Sequence, residues 1–462
     1  MPLFWGPGLR PTAHLVQEDG GMPDALAALR ALVRIPTVSR QDPADTDWAP
    51  FRDLVTLLPS LYPATHRELG LEIVAEHSLL YHWKGSTDGP PTVLMAHYDV
   101  VPATDEGWEH PPFSAEVTGE GDERVVWGRG TLDDKGALVA VLEGVEASVL
   151  AGRTPRCDVY LSFGHDEETE GSGARAIVDL LQSRGIRAGL VIDEGGAIVE
   201  DVFPGVSGPI AVVGVSEKGI LTVTLTVDQH GGHASTPPRL SATARLARAI
   251  VRLNRRPFRA GFSAPTLEMI GTLGAHARGP LRLAFTNLWL TRPILLALFA
   301  RLSDETNALI RTTQAVTMLR GSQAANALAE RAVATVNIRV SIDSRVADAV
   351  AHVRRAIHDP RVVIAVQHPH EPSPVSPTSG PGWELVRRTI GETFPGTIVT
   401  PYVMMAASDS RHFTRISDCV YRFSPFEMSA AERGTLHARN ERLRVSTLLR
   451  GVDFYTRLIA GL

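Results

Sequence analysis

Cysteine is almost absent from this chain: Cys157 and Cys419 are the only two among 462 residues. Two thiols exclude a disulfide framework and a cysteine-rich zinc site, so any bound metal must rest on histidine and carboxylate groups. The same usage fits a reducing cytoplasm. Concentrated positive charge is missing too. The formal net charge is -5 and no long basic run occurs, which argues against nucleic acid as a partner, because phosphate binding needs a strong local positive field. No uninterrupted apolar run approaches the ~20 residues that span a bilayer. The most apolar stretch, 281–300, is broken by Arg282, Asn287, Arg292 and Pro293 and reads as a buried or interfacial helix. The N-terminal MPLFWGPGLRPTAHL holds no apolar segment long enough for a secretory signal. Internal repeats and low-complexity tracts are lacking as well.

What is present is the balance of a soluble globular protein, 44% hydrophobic and 21% charged. The length exceeds one ordinary core and calls for at least two domains. Between residues 70 and 215, short apolar runs at 92–96, 159–162 and 190–192 alternate with helical patterns at 137–151 and 174–183. That rhythm predicts a mostly parallel sheet with helices on both faces, and functional residues gather just beyond the C-terminal ends of such strands. At VSEKG, 215–219, the texture changes. An alternating strand at 220–227, a helix at 241–254, strands at 315–319 and 332–340, a helix at 344–357 and a strand at 362–366 follow the βαββαβ order of a ferredoxin-like unit. A helix at 383–394 and a strand at 399–403 then resume the first pattern. The expected architecture is an α/β catalytic domain built from 1–216 and 371–462, interrupted by an inserted α+β unit at 217–370.

The chemistry-bearing residues cluster at the predicted strand ends. His97 and Asp99 close the first apolar run. Positions two apart in an extended chain share a face, so His97 can bind a metal while Asp99 accepts its other ring N–H and fixes the tautomer. In GRGTLDDKG, 128–136, the adjacent Asp133 and Asp134 precede a helix. Acids there also serve as caps and dipole partners, but the flanking glycines permit tight turns beside a bound group. The next two strand ends carry His165-Asp166-Glu167-Glu168 and Asp193-Glu194-Gly195-Gly196, and so many ionisable groups are costly together unless solvated or metal-bound. His437, far along the chain in LHARNE, supplies a second neutral nitrogen ligand. Two histidines and three carboxylates suit a pair of divalent cations, zinc first and manganese or cobalt next.

These clusters, together with VSEKG, GGHASTPP, TNALIRTT, ATVNIRV, SDSRHFT, YRFSPF and LHARNE, make a chain that resembles the co-catalytic zinc aminoacylase/carboxypeptidase family. The likeness runs from about residue 30 to the C-terminus, and is greatest to the branch of carboxypeptidase S and the mammalian N-fatty-acyl-amino acid synthase/hydrolase. The resemblance implies a zinc-exopeptidase-like fold whose inserted ferredoxin-like unit serves as lid and dimerisation domain. It implies that His97 binds one metal, that Asp99 orients it, and that Asp133 bridges both metals and is followed by a cis peptide bond to Asp134. Glu168 and His437 then hold the second metal, and Glu167 is the general acid/base. The remaining ligand is Glu194, with Asp193 in reserve, because neighbours on a strand point oppositely. His233 matches the histidine that steadies the oxyanion, often across a subunit boundary, which implies a homodimer. Arg339 matches the group that grips a substrate carboxylate, and Asn326, Asp409 and Arg411 match weaker substrate-side positions. After Asn326 the chain reads Ala-Leu-Ala where the family has Val-Ile-Pro, a departure confined to that loop.

The function expected is hydrolysis of the amide bond of N-acyl amino acids, fatty-acyl ones included and reversible in principle, with release of a free amino acid. The enzymatic alternative is a carboxypeptidase or dipeptidase acting on short peptides. A non-catalytic dimeric binding protein is the alternative from another class. Such a protein is expected to have lost a ligand or Glu167, and every one of these positions is intact.

Overall fold

The computed structural model describes residues 24–200, 203 and 205–462. The N-terminal stretch examined for a secretory signal lies outside them. Strand Thr92–His97 is buried along its whole length because helices cover both faces of the sheet it belongs to. Leu94 and Ala96 join one core, with Leu138, Leu142 and Phe454. Val93 and Met95 join the other, with Ala174, Ile177 and Leu181. Strict alternation of two apolar sets is what a doubly covered strand demands.

That strand is flanked in parallel by Val159–Gly164 on one side and Leu190–Asp193 on the other. Val420–Arg422 continues the parallel run beside Leu190–Asp193. Ten strands make up this sheet among the described residues, with antiparallel pairs toward its edges. Helix Lys135–Leu150 is almost wholly buried, pressed between the sheet and helix Val445–Ala460. Its buried Glu146 is satisfied by accepting hydrogen bonds from the backbone N–H groups of Ala64 and Thr65, at 2.9 and 2.6 Å, and from the Thr65 hydroxyl at 2.7 Å.

A separate four-stranded antiparallel sheet runs in the order Thr313–Arg320, Arg331–Val340, Gly219–Asp228, Val363–His370. Its two central strands alternate buried and half-buried residues, and helices Ala242–Asn254 and Val346–Ile357 cover the apolar face. Ser241 starts the first of these helices by accepting from the Ala244 N–H. The order of elements and strands is that of a ferredoxin-like unit.

Four helices, Ala264–His276, Gly279–Thr286, Leu288–Leu302 and Asp304–Leu309, intervene between the helix 242–254 and the strand 313–320. They do not join the small sheet. Met269, Ile270 and Leu273 pack instead with Ile210, Val212, Ile398 and Tyr402 of the large sheet. The stretch 281–300, expected as a buried or interfacial helix, falls here, and on Leu288–Leu302 only Leu295 and Phe299 are buried. Among the described residues no helix is long and apolar enough to cross a membrane.

Two direct links join strands of the large sheet to strands of the small one, and these crossings lie side by side. Ser373 takes a hydrogen bond from the Glu217 N–H on its hydroxyl at 2.9 Å and returns one from its own N–H to the Glu217 carbonyl at 3.1 Å. Glu217 faces the large domain, accepting from the Ser408 N–H at 3.0 Å and pairing with the fully buried Arg422 at 3.5 Å. Lys218 faces the other way and donates to the carbonyls of Ala308 and Arg311.

Glu143, one turn before Glu146, is buried with one oxygen unpartnered. Burial, aided by the charge of Glu146, pushes its carboxyl up to about 8. The folded protein therefore keeps this proton up to about pH 8, whereas the unfolded chain releases it near 4.5. Folding takes up a proton between those values, and stability falls as the pH rises through that window, by a few kcal/mol at most for a shift of this size. Glu143→Gln is expected to raise the melting temperature at pH 8 and to change it little at pH 5. A melting difference that is the same at both pH values would contradict this account.

Candidate metal centre

Each acidic cluster of the sequence arrives at the C-terminal edge of the central strands, where the parallel topology opens a crevice. His97 ends strand Thr92–His97 and is buried. Its Nδ1 lies 3.0 Å from the carbonyl of Asp99 and 3.2 Å from the Asp99 carboxylate. Its Nε2 points the other way, 3.0 Å from Asp133 Oδ1 and 3.7 Å from Glu194 Oε1. On the far side of Asp133, His437 Nε2 sits 2.9 Å from Oδ2 and 3.0 Å from Glu168 Oε2. One carboxylate thus stands between two imidazoles, offering a different oxygen to each. Ligand atoms of His97, Glu167 and Glu194 come within 4.8 Å of one another, as do those of His97, Asp133 and Glu168.

The electrostatics of the cluster follow from crowding. Burial, with the neighbouring charges of Asp409, Glu168 and Asp133, pushes the Glu167 carboxyl well above the usual carboxylate range. Burial and then Asp133 and Asp134 do the same to Glu194, and burial with Asp133 raises Glu168. Asp133 goes the other way despite its burial, because His437 and His97 both hydrogen-bond to it. The partnership is mutual: Asp133 and Glu168 push His437 up to about 10. Two imidazoles offset only part of this negative charge, and Glu168 Oε1 is buried with no hydrogen-bond partner. An N/O donor set of this kind, with spare carboxylate oxygens facing one another, fits a pair of divalent cations.

Three supports hold the arrangement, and two of them have no local sequence signal. Asp99, fully buried, accepts from the N–H groups of Glu167 and Glu168, each at 3.1 Å, and from the Ser39 hydroxyl at 2.7 Å. It therefore steers the His97 ring and also fixes the turn that carries the next two acids. Glu441, also fully buried, accepts from the N–H groups of Gly130, Leu132 and Asp133 at 3.0, 2.9 and 3.2 Å and pairs with Arg129. It ties the Asp133 loop to the segment bearing His437, although the sequence reading assigned it no role. The third support is Asp166, which accepts from the Ser172 and Gly173 N–H groups and so caps helix Ser172–Ser183. The peptide bond between Asp133 and Asp134 is cis.

The structure brings His97, Asp99, Asp133, Glu167, Glu168, Glu194 and His437 together, and treats the other expected residues differently. The Asp193 carboxylate turns away from the cluster and accepts from the Ser410 N–H at 2.8 Å. Asp409 is buried with both oxygens unpartnered, in a space that exists because residues 164 and 171 are glycines. A Cβ at either position would run into its carboxylate, and Gly171 also needs its positive φ of 64°. Arg411 is braced by the carbonyls of Ser408 and Glu170. Arg339, half-buried on strand Arg331–Val340, is held below its ordinary value by burial and then by Arg411, and feels Glu217 and Glu167 in the opposite sense. Two guanidinium groups and Glu167 are therefore within electrostatic reach across the two sheets. His233 and Asn326 lie on exposed segments of the inserted unit. The His233 ring is engaged by the Ser235 hydroxyl at 2.7 Å, and the Asn326 carbonyl accepts from the Ala234 N–H at 2.9 Å.

With this geometry established, comparison with known proteins identifies the lineage. The model of peptidase family M20/M25/M40 matches residues 93–461. The N-fatty-acyl-amino acid synthase/hydrolase PM20D1 of Xenopus tropicalis is 37% identical over 439 residues, covering 94% of this chain and 84% of the relative. The probable carboxypeptidase S-like 2 of Dictyostelium discoideum is 38% identical over 408 residues, covering 86% of this chain and 77% of the relative. Among solved structures, the M20 family metallo-carboxypeptidase Sso-CP2 from Sulfolobus solfataricus superposes with a TM-score of 0.70 at 16% identity, over 95% of this chain and 99% of that one. The chain belongs to peptidase family M20/M25/M40 and has its fold.

The double duty of Asp99 generates a prediction. In Asp99→Asn one acceptor oxygen becomes an NH2 group that faces an N–H or hydroxyl donor, so either the His97 ring or the Glu167–Glu168 turn loses its hold. Supports of this kind are worth about 10–100-fold in metal affinity. Zinc retention during chelator competition is expected to fall by that factor, with little change in the circular dichroism spectrum. Undiminished retention would show that Asp99 does not organise the centre.

Proposed function

We propose that this M20/M25/M40 family member cleaves the amide bond of N-acyl amino acids, fatty-acyl ones included, and releases the free amino acid. The observation that carries the reading is Asp133 standing between His97 and His437 with one oxygen toward each. His97, Asp133 and Glu194 would hold one divalent cation, and His437, Asp133 and Glu168 the other, with zinc favoured over manganese and cobalt by the mix of imidazole and carboxylate. When bound, such a pair lowers the pKa of a shared water and polarises a carbonyl oxygen.

The chain's own groups do the rest. Glu167 takes the proton from the attacking water and returns it to the leaving amide nitrogen as the C–N bond breaks. Arg339 grips the carboxylate of the amino-acid half in a bidentate fork, which fixes the scissile bond relative to Glu167, and Arg411 adds positive charge on the same side. Asp409 helps keep the Glu167 carboxyl proton-avid from behind. His233 donates to the oxyanion. Its exposed place on the inserted unit is compatible with delivery across a subunit boundary, and on that reading 217–370 is a lid and dimerisation domain and the active form a homodimer. Asn326, on the adjoining segment, contacts substrate from the same side. The two catalytic segments are then 1–216 and 371–462, and the unpaired Cys157 and Cys419 fit a cytoplasmic setting.

A carboxypeptidase or dipeptidase reading shares every one of these roles, because a short peptide also presents an amide next to a free carboxylate. The names carried by the relatives, acyl-amino acid hydrolase on one side and carboxypeptidase on the other, keep both in play. A panel of N-acyl amino acids and dipeptides, assayed with added zinc, manganese or cobalt, separates them: turnover of peptides alone would overturn the acyl reading. Glu167→Gln is expected to keep its metal and lose about 100- to 10,000-fold in kcat. Full activity in that variant would remove Glu167 from its role.

A further inference from the structure

The helix Leu288–Leu302 shows the core only two large side chains, Leu295 and Phe299. Its outer side carries Leu290, Ile294, Leu298 and Leu302, spaced every four residues into one exposed stripe, with Trp289 beside it. Trp289 is 83% exposed and Ile294 70%. The preceding helix, Gly279–Thr286, contributes the exposed Leu283. Single apolar side chains on a surface need no explanation, but a contiguous patch of this kind marks a binding face.

Charge says what the face would meet. From Met269 to Ser303 the sequence carries Arg278, Arg282, Arg292 and Arg301 and no aspartate or glutamate, on a chain whose overall formal charge is -5. All four arginines are exposed, and among the described residues none of them forms an ion pair. Exposed aliphatic side chains, an exposed tryptophan and unpaired arginines on one segment are the residue types that suit contact with an anionic lipid surface. A second copy of the same face would gather the arginines of both copies into one contact, a charge that anionic lipid relieves more fully than the adjoining Asp304 and Glu305. Spanning is also excluded by length. Fifteen residues rise about 22 Å, short of the ~30 Å hydrocarbon core.

We propose that this face docks the protein on an anionic phospholipid bilayer. The stripe enters the headgroup and acyl boundary, Trp289 sits at headgroup level, and Arg282, Arg292 and Arg301 pair with lipid phosphates. The docking face is fixed relative to the metal centre. Met269 and Leu273 anchor the helical segment to the large sheet, and Lys218 holds its far end through the Ala308 and Arg311 carbonyls. The proposal is independent of which amide is cleaved.

The test is co-sedimentation of the full chain with phosphatidylcholine vesicles, with and without phosphatidylglycerol. Binding to the anionic vesicles is expected, weakened by salt. The double substitution Trp289→Glu with Ile294→Glu is expected to reduce it at least about tenfold, given the apolar area it removes from the contact. Arg282→Glu with Arg292→Glu is expected to abolish the preference for anionic vesicles. Melting curves and bound zinc, unchanged in both variants, separate loss of docking from loss of folding. Three results would overturn the proposal: no pelleting of the unsubstituted protein, pelleting that survives both double substitutions, or a sedimentation-velocity dimer that dissociates on the same substitutions while vesicles remain unbound.

Discussion

Repulsion among carboxylates is the constraint around which the rest of this molecule is arranged. Asp133, Glu167, Glu168 and Glu194 share one small volume with two imidazoles, and burial makes each uncompensated charge costly. A surface loop could not hold such a set together, because the groups would simply turn outward into water. Here Glu167, Glu168 and Glu194 follow strands locked in a parallel sheet covered on both faces, and Asp133 sits at the start of the buried helix Lys135–Leu150. These segments are then bound to one another by backbone N–H groups: Asp99 takes two of them and Glu441 takes three. Both of these buried carboxylates act through hydrogen bonds to the main chain. Like-charged side chains remain close because their backbones are fastened, and that stored proximity is what divalent cations can use.

Much of the fold was legible in the sequence, because its strongest signals were periodic. The runs at 92–96, 159–162 and 190–192 became strands Thr92–His97, Val159–Gly164 and Leu190–Asp193. The alternation at 220–227 became Gly219–Asp228, and each predicted helix lies within a few residues of an observed one except 281–300, which is split at Asn287 into two. The four helices between 264 and 309 were less legible. Only the apolar stretch 281–300 was singled out, and periodicity does not say which of two sheets a helix will cover. Those helices return to the large sheet, so elements belonging to one core are threaded between elements of the other.

The site was legible in its ligand types and only partly in its supports. Histidine and carboxylate at the strand ends of His97, Glu168 and Glu194 are visible one segment at a time, whereas Asp133 and His437, in loops, took their roles from the family resemblance. Glu441 was invisible because its partners are backbone groups some 310 positions earlier in the chain, and no local pattern announces a contact of that kind. Asp193 and Glu194 were inseparable in sequence. In the structure the first is absorbed by the Ser410 N–H and the second faces His97. The expected residues on the inserted unit, His233 and Asn326, occupy exposed segments outside the cluster.

The relation of the two sheets is set first by the laced crossings at Glu217 and Ser373. Glu217 ties that joint to Arg422 and Ser408, and Lys218 ties it to the end of the helical block through the Ala308 and Arg311 carbonyls. The block itself, threaded in sequence between elements of the small sheet, packs on the large one. Joint and block together brace the sheet of Arg339 against the sheet of Glu167, so the room between guanidinium and carboxylate is a property of a frame whose struts lie far from both in sequence.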